Sequence, residues 1–123
     1  MLECLVVGIG GFIGSVCRYA IGLIPLREGT IFPIKTLIIN ILGSFLIGVI
    51  TGLALKNPSI NPRLVLFIKT GICGGFTTFS SFALETGDLI KNGHGGLAVA
   101  YGFLSMVLGV IAVLAGEAFT RAS

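Results

Sequence analysis

Four long apolar stretches alternate with short polar or proline-containing segments along this chain, at residues 2–24, 33–55, 64–90 and 96–119. Each is near or above the roughly 20 residues a helix needs to cross the hydrocarbon core of a bilayer. Lipid offers no partners to backbone N–H and C=O groups, so the pattern predicts four transmembrane helices rather than open strands. Four crossings put both chain ends on one side. The first stretch carries Glu3 where a secretory leader would be basic and runs past leader length, so it is expected to be retained as a span.

Composition agrees with this pattern. A chain of 123 residues is one domain's worth, here a single unit over residues 1–123, and 54% of it is hydrophobic while only 11% is charged. So small a soluble domain lacks the interior to hide that much apolar surface. The reading is an all-α, multi-pass membrane protein with the lipid bilayer as its solvent. The net charge of +3 is scattered over span ends with no basic face, which excludes nucleic-acid binding. Cys4, Cys17 and Cys73 are odd in number and far apart, with no CxxC pair, and read as small buried hydrophobes.

Orientation in the membrane normally follows the Lys and Arg bias between its two faces. Lys56, Arg63, Lys69 and Arg121 fall on the side of the chain ends, against Arg18, Arg27, Lys35 and Lys91 on the other. Dropping Arg18 and Lys69 as intramembrane leaves the balance even. A chain so balanced has no electrostatic reason to insert one way only, and insertion in both orientations is expected. Four short spans also bury mainly one another, so a pathway would form between subunits and an oligomer is expected.

The polar residues inside the spans are few. In the first, Gly8, Gly11, Ser15, Arg18 and Gly22 recur at spacings of three and four, a close-packing face. Its GIGGFIG also matches part of a dinucleotide fingerprint, with Glu28 about 20 residues beyond Gly8, but no βαβ unit follows. Arg18 is an intramembrane charge that either snorkels to the interface or serves a structural or vestibule role. The second span carries Thr36, Asn40 and Ser44 on one stripe, with Thr51 seven residues on. Asn40 is either interhelical glue or a pair of amide donors along an anion path.

GGFTTFSSF, at residues 74–82, concentrates glycines, hydroxyls and phenyl rings in the third span. Gly74 and Gly75 each weaken a helix by about 1 kcal/mol relative to Ala, which predicts a break at mid-membrane whose freed carbonyls suit a cation. Phe79 and Phe82 share a face beside a polar track of Thr78, Ser81 and Glu85. In the fourth span Tyr101 is either an interfacial aromatic or part of the path, and Ser105 is deep enough to face it. His94 is expected in solvent.

GGFIGSVCRY, TLIINILGSFLIG and GICGGFTTFSSF, in the first three spans, resemble the small bacterial fluoride channels, also labelled camphor-resistance or chromosome-condensation proteins. Ser15, where relatives usually carry Ala, and Ser81, often Thr, are mild departures. The resemblance implies an antiparallel, dual-topology homodimer in the inner membrane, exporting fluoride through two pores. It implies that Asn40, Phe79 and Phe82 line each pore, that Ser80, Ser81 and Glu85 form an outer polar track, and that Tyr101 and Ser105 join from the fourth span. It also implies a structural sodium ion between subunits, held by the backbone carbonyls of Gly74 and Thr77. Fluoride is small and tightly hydrated, so compact donors and positive ring edges suit it.

A small multidrug or cation antiporter shares the four-span, dual-topology plan. It needs a mid-membrane carboxylate, whereas Glu3, Glu28, Glu85, Asp88 and Glu117 lie nearer the span ends, and no Trp is present to stack on an organic cation. No hydroxyl has a base partner in the pattern, so an enzyme is not expected.

Overall fold

The computed structural model describes residues 1–25 and 31–122. Arg27 and Glu28, which entered the charge balance and the glycine fingerprint, lie outside the described residues. The described chain is helical, with four stretches long and apolar enough to cross a membrane, Leu2–Gly22, Ile34–Lys56, Pro62–Lys91 and Gly95–Ala122. With half its composition apolar, it is a multi-pass membrane protein, which in a bacterium places it in the inner membrane.

Local chemistry sets the ends. Helix α1 is Leu2–Gly22 and α2 is Ile34–Lys56, entered from Pro33. Helix α3, Pro62–Leu66, has proline in its first turn and Asn61 as N-cap, its Oδ1 accepting the Arg63 N–H at 2.9 Å. A π-helical segment, Phe67–Cys73, leads into α4, Gly74–Phe76. The chain is extended at Thr77 (φ −81°, ψ 155°) and Thr78 (φ −146°, ψ 125°) before α5, Phe79–Lys91, begins. Gly93, at φ +81°, makes the left-handed turn into α6, Gly95–Ala122.

The helices pack as two parallel pairs, each along a glycine seam. On α1, a Cβ added to Gly10 would lie 2.6 Å from the Phe67 carbonyl oxygen, and one on Gly14 would overlap that of Ile72. A Cβ on Gly75 would lie 2.6 Å from the Gly11 oxygen. Between α2 and α6, Gly48 abuts the Val113 carbonyl, Gly116 that of Phe45, and Gly52 the Thr120 hydroxyl. Small residues bring backbones into contact where lipid supplies no hydrophobic drive between helices.

The contact row on α1 differs from the expected one. Gly8 and Gly22 face open space, and the seam runs through Gly10 and Gly14 with Gly11 at its edge. The span holds enough glycines for two rows, and only the facing π-helical segment selects between them. The cysteine expectation holds for Cys73, which is fully buried, but Cys4 and Cys17 are exposed. They lie on α1 among Ile9, Phe12 and Val16, an outward apolar surface suited to lipid.

Polar contacts tie the span ends together. Arg63 Nε lies 3.6 Å from Glu3 Oε1, and Lys56 Nζ donates to the Thr120 carbonyl at 3.2 Å, gathering both chain ends on one side. Opposite, Lys35 Nζ donates to the Gly22 carbonyl at 2.9 Å. Both ammonium groups reach carbonyls at the C-termini of neighbouring helices, α1 for Lys35 and α6 for Lys56, where the macrodipole favours a cation.

Candidate functional site

The site is organised around the two extended residues. In a continuous helix the Thr78 N–H would donate to the Gly74 carbonyl, four residues back. Here it donates to Asn40 Oδ1 at 2.9 Å, while Asn40 Nδ2 donates to the Thr78 carbonyl at 3.0 Å. The Ser81 N–H, which would return to Thr77, donates instead to Thr78 Oγ1 at 3.1 Å and caps α5. Arg18 Nε reaches the Gly75 carbonyl at 3.2 Å, and Thr77 Oγ1 donates to the Cys73 carbonyl at 2.9 Å. Arg18 therefore serves the backbone at the interruption.

Beside Asn40 opens a cleft of about 430 Å³ whose lining includes Ser44, Thr77, Thr78, Phe79, Phe82 and Ser105. The Phe79 and Phe82 rings lie 5.7 Å apart, tilted by 47°. Phe82 is half-buried whereas Phe79 is 79% exposed. Ser105 Oγ is buried and has no hydrogen-bond partner among the described residues. A buried hydroxyl left unpaired costs about 1–3 kcal/mol, a cost that a water or an anion accepting from it in the cleft would offset.

Glu85 and Tyr101 form a second group. The Tyr101 hydroxyl donates to Glu85 Oε1 at 3.0 Å and the Thr36 hydroxyl to Oε2 at 2.8 Å, so both carboxylate oxygens are engaged. Tyr101 is fully buried, not an interfacial aromatic, with its ring 4.9 Å from Phe82 and 5.5 Å, edge-on, from Phe32. Phe82 thus joins the two groups. Beyond Glu85, Asp88, Asn92 and His94 line a second cleft of about 440 Å³.

Of the residues singled out in the sequence, Asn40, Thr77, Phe79, Phe82 and Ser105 line one cleft, and Glu85 with Tyr101 adjoins it. Ser80 and Ser81 do not line that cleft. Ser80 is exposed, with its hydroxyl 3.3 Å from Thr78 Oγ1, and Ser81 is held through its N–H. Gly74 is exposed, with nothing within 4 Å of the Cβ direction. Sequence reading did not place Ser44, Thr36 or Met106 at the site; the first two are on the polar stripe of Asn40, and Met106 carries no signal beyond its place after Ser105.

No group of three or more His, Cys, Asp or Glu able to hold a metal occurs among the described residues. Backbone oxygens are the available hard ligands. The Gly74 and Thr77 carbonyls fit a hard cation in that their helical donors, Thr78 N–H and Ser81 N–H, are turned to side chains. The cleft itself offers hydroxyl and amide donors and ring edges, and none of its lining residues is charged.

Comparison with known proteins agrees with this chemistry. The chain is 47% identical over 112 residues to a fluoride-specific ion channel FluC of Chlorobium chlorochromatii, covering 91% of this chain and 87% of that protein. It is 49% identical over 117 residues to the FluC of Ruminiclostridium cellulolyticum, covering 94% and 87%. For the FluC of Agrobacterium fabrum the identity is 43% over 122 residues, 98% of each chain. Residues 5–117 match the family described as CrcB-like protein, Camphor Resistance (CrcB), and the chain belongs to that family.

Proposed function

We propose that this chain is a subunit of a fluoride-selective ion channel that lets fluoride leave the cytoplasm down its electrochemical gradient. The observation that carries the reading is the convergence of the Asn40 amide, the Phe79 and Phe82 rings and the buried, unpartnered Ser105 hydroxyl on one uncharged cleft. Fluoride sheds its water only if compact donors replace it, and hydroxyl O–H, amide N–H and phenyl edges are such donors. Restarting the helix at Phe79 also points the N-terminus of α5, with its partial positive charge, toward the same region. The fluoride-specific ion channel relatives support the choice of ion.

The channel is an antiparallel, dual-topology homodimer with two pores and a structural sodium ion at its centre. The exposed backbone at Gly74 supports this arrangement, since a second copy packed there would bring two sets of Gly74 and Thr77 carbonyls together. A cation so held offsets the desolvation of nearby anions. The even Lys and Arg balance supports insertion both ways, with a C-terminal tag then accessible from both sides of the membrane; labelling from one side only refutes it. An antiporter would need a carboxylate in the cleft, and none lines it.

The decisive experiment is efflux from liposomes loaded with fluoride or chloride. The purified protein is expected to release fluoride rapidly and chloride at the protein-free rate. Equal release of both, or no fluoride release, overturns the assignment.

A further inference from the structure

We infer that Asn40 is a positioning residue that imposes the extended conformation at Thr78, and so the shape of the cleft, in addition to any contact with a permeating ion. The inference concerns the same site as the channel reading but rests only on backbone geometry, and it stands or falls without regard to which ion passes.

In an α-helix the N–H and C=O of one residue point in opposite directions along the axis, and no single side chain can grip both. In an extended residue they project to the same side, as they do toward a neighbouring strand. Thr78 is extended, at φ −146° and ψ 125°, and the Asn40 amide takes both its groups, accepting its N–H at 2.9 Å and donating to its C=O at 3.0 Å. The side chain mimics a strand partner of a single residue. An N–H can only donate, so the Asn40 amide has one possible orientation, with Oδ1 toward Thr78 N–H.

Neither Ser nor Asp at this position completes the same pair. Ser is too short to span both groups, and Asp, when ionised, sets an acceptor against the Thr78 carbonyl. Without the grip, Thr78 N–H has its helical acceptor, the Gly74 carbonyl, close by in sequence. A return toward helix there would carry along the groups that Thr78 orients: its own Oγ1, which caps α5 through Ser81 N–H at 3.1 Å, and the Phe79 ring on the next residue. A channel with an altered residue 40 therefore loses the cleft's shape along with one donor.

The test is nuclear magnetic resonance of the full-length protein in lipid nanodiscs, reading the backbone carbon shifts of Thr77 and Thr78 and the exchange of the Thr78 amide with solvent. In the unaltered chain the shifts should be those of extended backbone and the amide protected. In Asn40→Ala and in the milder Asn40→Ser, either the shifts move toward helical values or the Thr78 amide exchanges at least about tenfold faster, the equivalent of about 1.4 kcal/mol of lost hydrogen bonding. Ser105→Ala, which removes a cleft hydroxyl not hydrogen-bonded to Thr78, should leave both readouts as they are. Unaltered shifts and protection at Thr78 in Asn40→Ser, whose α2 and α6 signals match the parent, overturn the inference and leave Asn40 as a lining residue only.

Discussion

Replacing Ser105 by alanine separates the packing role of the cleft from its transport role, because the two predict opposite signs. Its hydroxyl oxygen is buried and unpartnered among the described residues, so in the resting structure it carries a desolvation penalty without a compensating bond. Mutational data put that penalty at about 1–3 kcal/mol, and Ser105→Ala removes it while deleting one atom. The protein should be unchanged in stability or gain up to that amount. If the hydroxyl binds the dehydrated anion, transport moves the other way. A hydrogen bond to a charge is worth about 1.5–3 kcal/mol, which, expressed fully in the barrier, slows fluoride passage about 10- to 150-fold. The assay pairs equilibrium unfolding with fluoride efflux from liposomes at matched protein density. A loss of stability above about 1 kcal/mol with parental efflux would show that Ser105 is a packing residue and refute the reasoning.

Phe79→Ile and Phe82→Ile should both assemble and both slow fluoride efflux, since an aliphatic side chain has no positive edge, with the tyrosine replacements milder. They should differ in stability: exposed Phe79 tolerates the change, whereas Phe82, 4.9 Å from the Tyr101 ring, loses an aromatic contact worth about 0.5–1.5 kcal/mol. Parental efflux in both would remove the rings from the path. Gly14→Ala places a methyl group against the Ile72 carbonyl and should destabilise the fold by about 1–3 kcal/mol, measured by unfolding, while Gly8→Ala, facing open space, should not.

The four spans were legible because each is a long apolar run bounded by polar residues, and lipid leaves the backbone little choice but helix. The clustering of chemistry at residues 74–82 was legible from its glycines and hydroxyls. The partner of Asn40 was not, since it is the backbone of a residue 38 positions away whose extended conformation leaves no mark on composition. Tyr101 was ambiguous for a similar reason: a tyrosine near a span end suits the interface equally well, and only the Glu85 carboxylate and the Phe32 and Phe82 rings around it decide its burial. The α1 seam was misassigned because two glycine rows share one helix, and choosing between them requires the neighbour.

That seam also sets the alignment of α1 along the third span in whole helical turns. Gly10 and Gly14 are two notches one turn apart, filled by the Phe67 and Ile72 carbonyls. Sliding the third span forward by a turn, about 5.4 Å, would keep Phe67 in a notch but drive the Ile72 carbonyl onto Arg18. Sliding it back would set Phe67 against Val6. Each step trades a notch for a side chain, so a single axial setting is allowed, and it is the one in which Arg18 meets the Gly75 carbonyl. The depth at which the helix stops and restarts is therefore indexed by glycines about two turns in from either end of α1, and lipids of different thickness can tilt this frame without shifting its teeth.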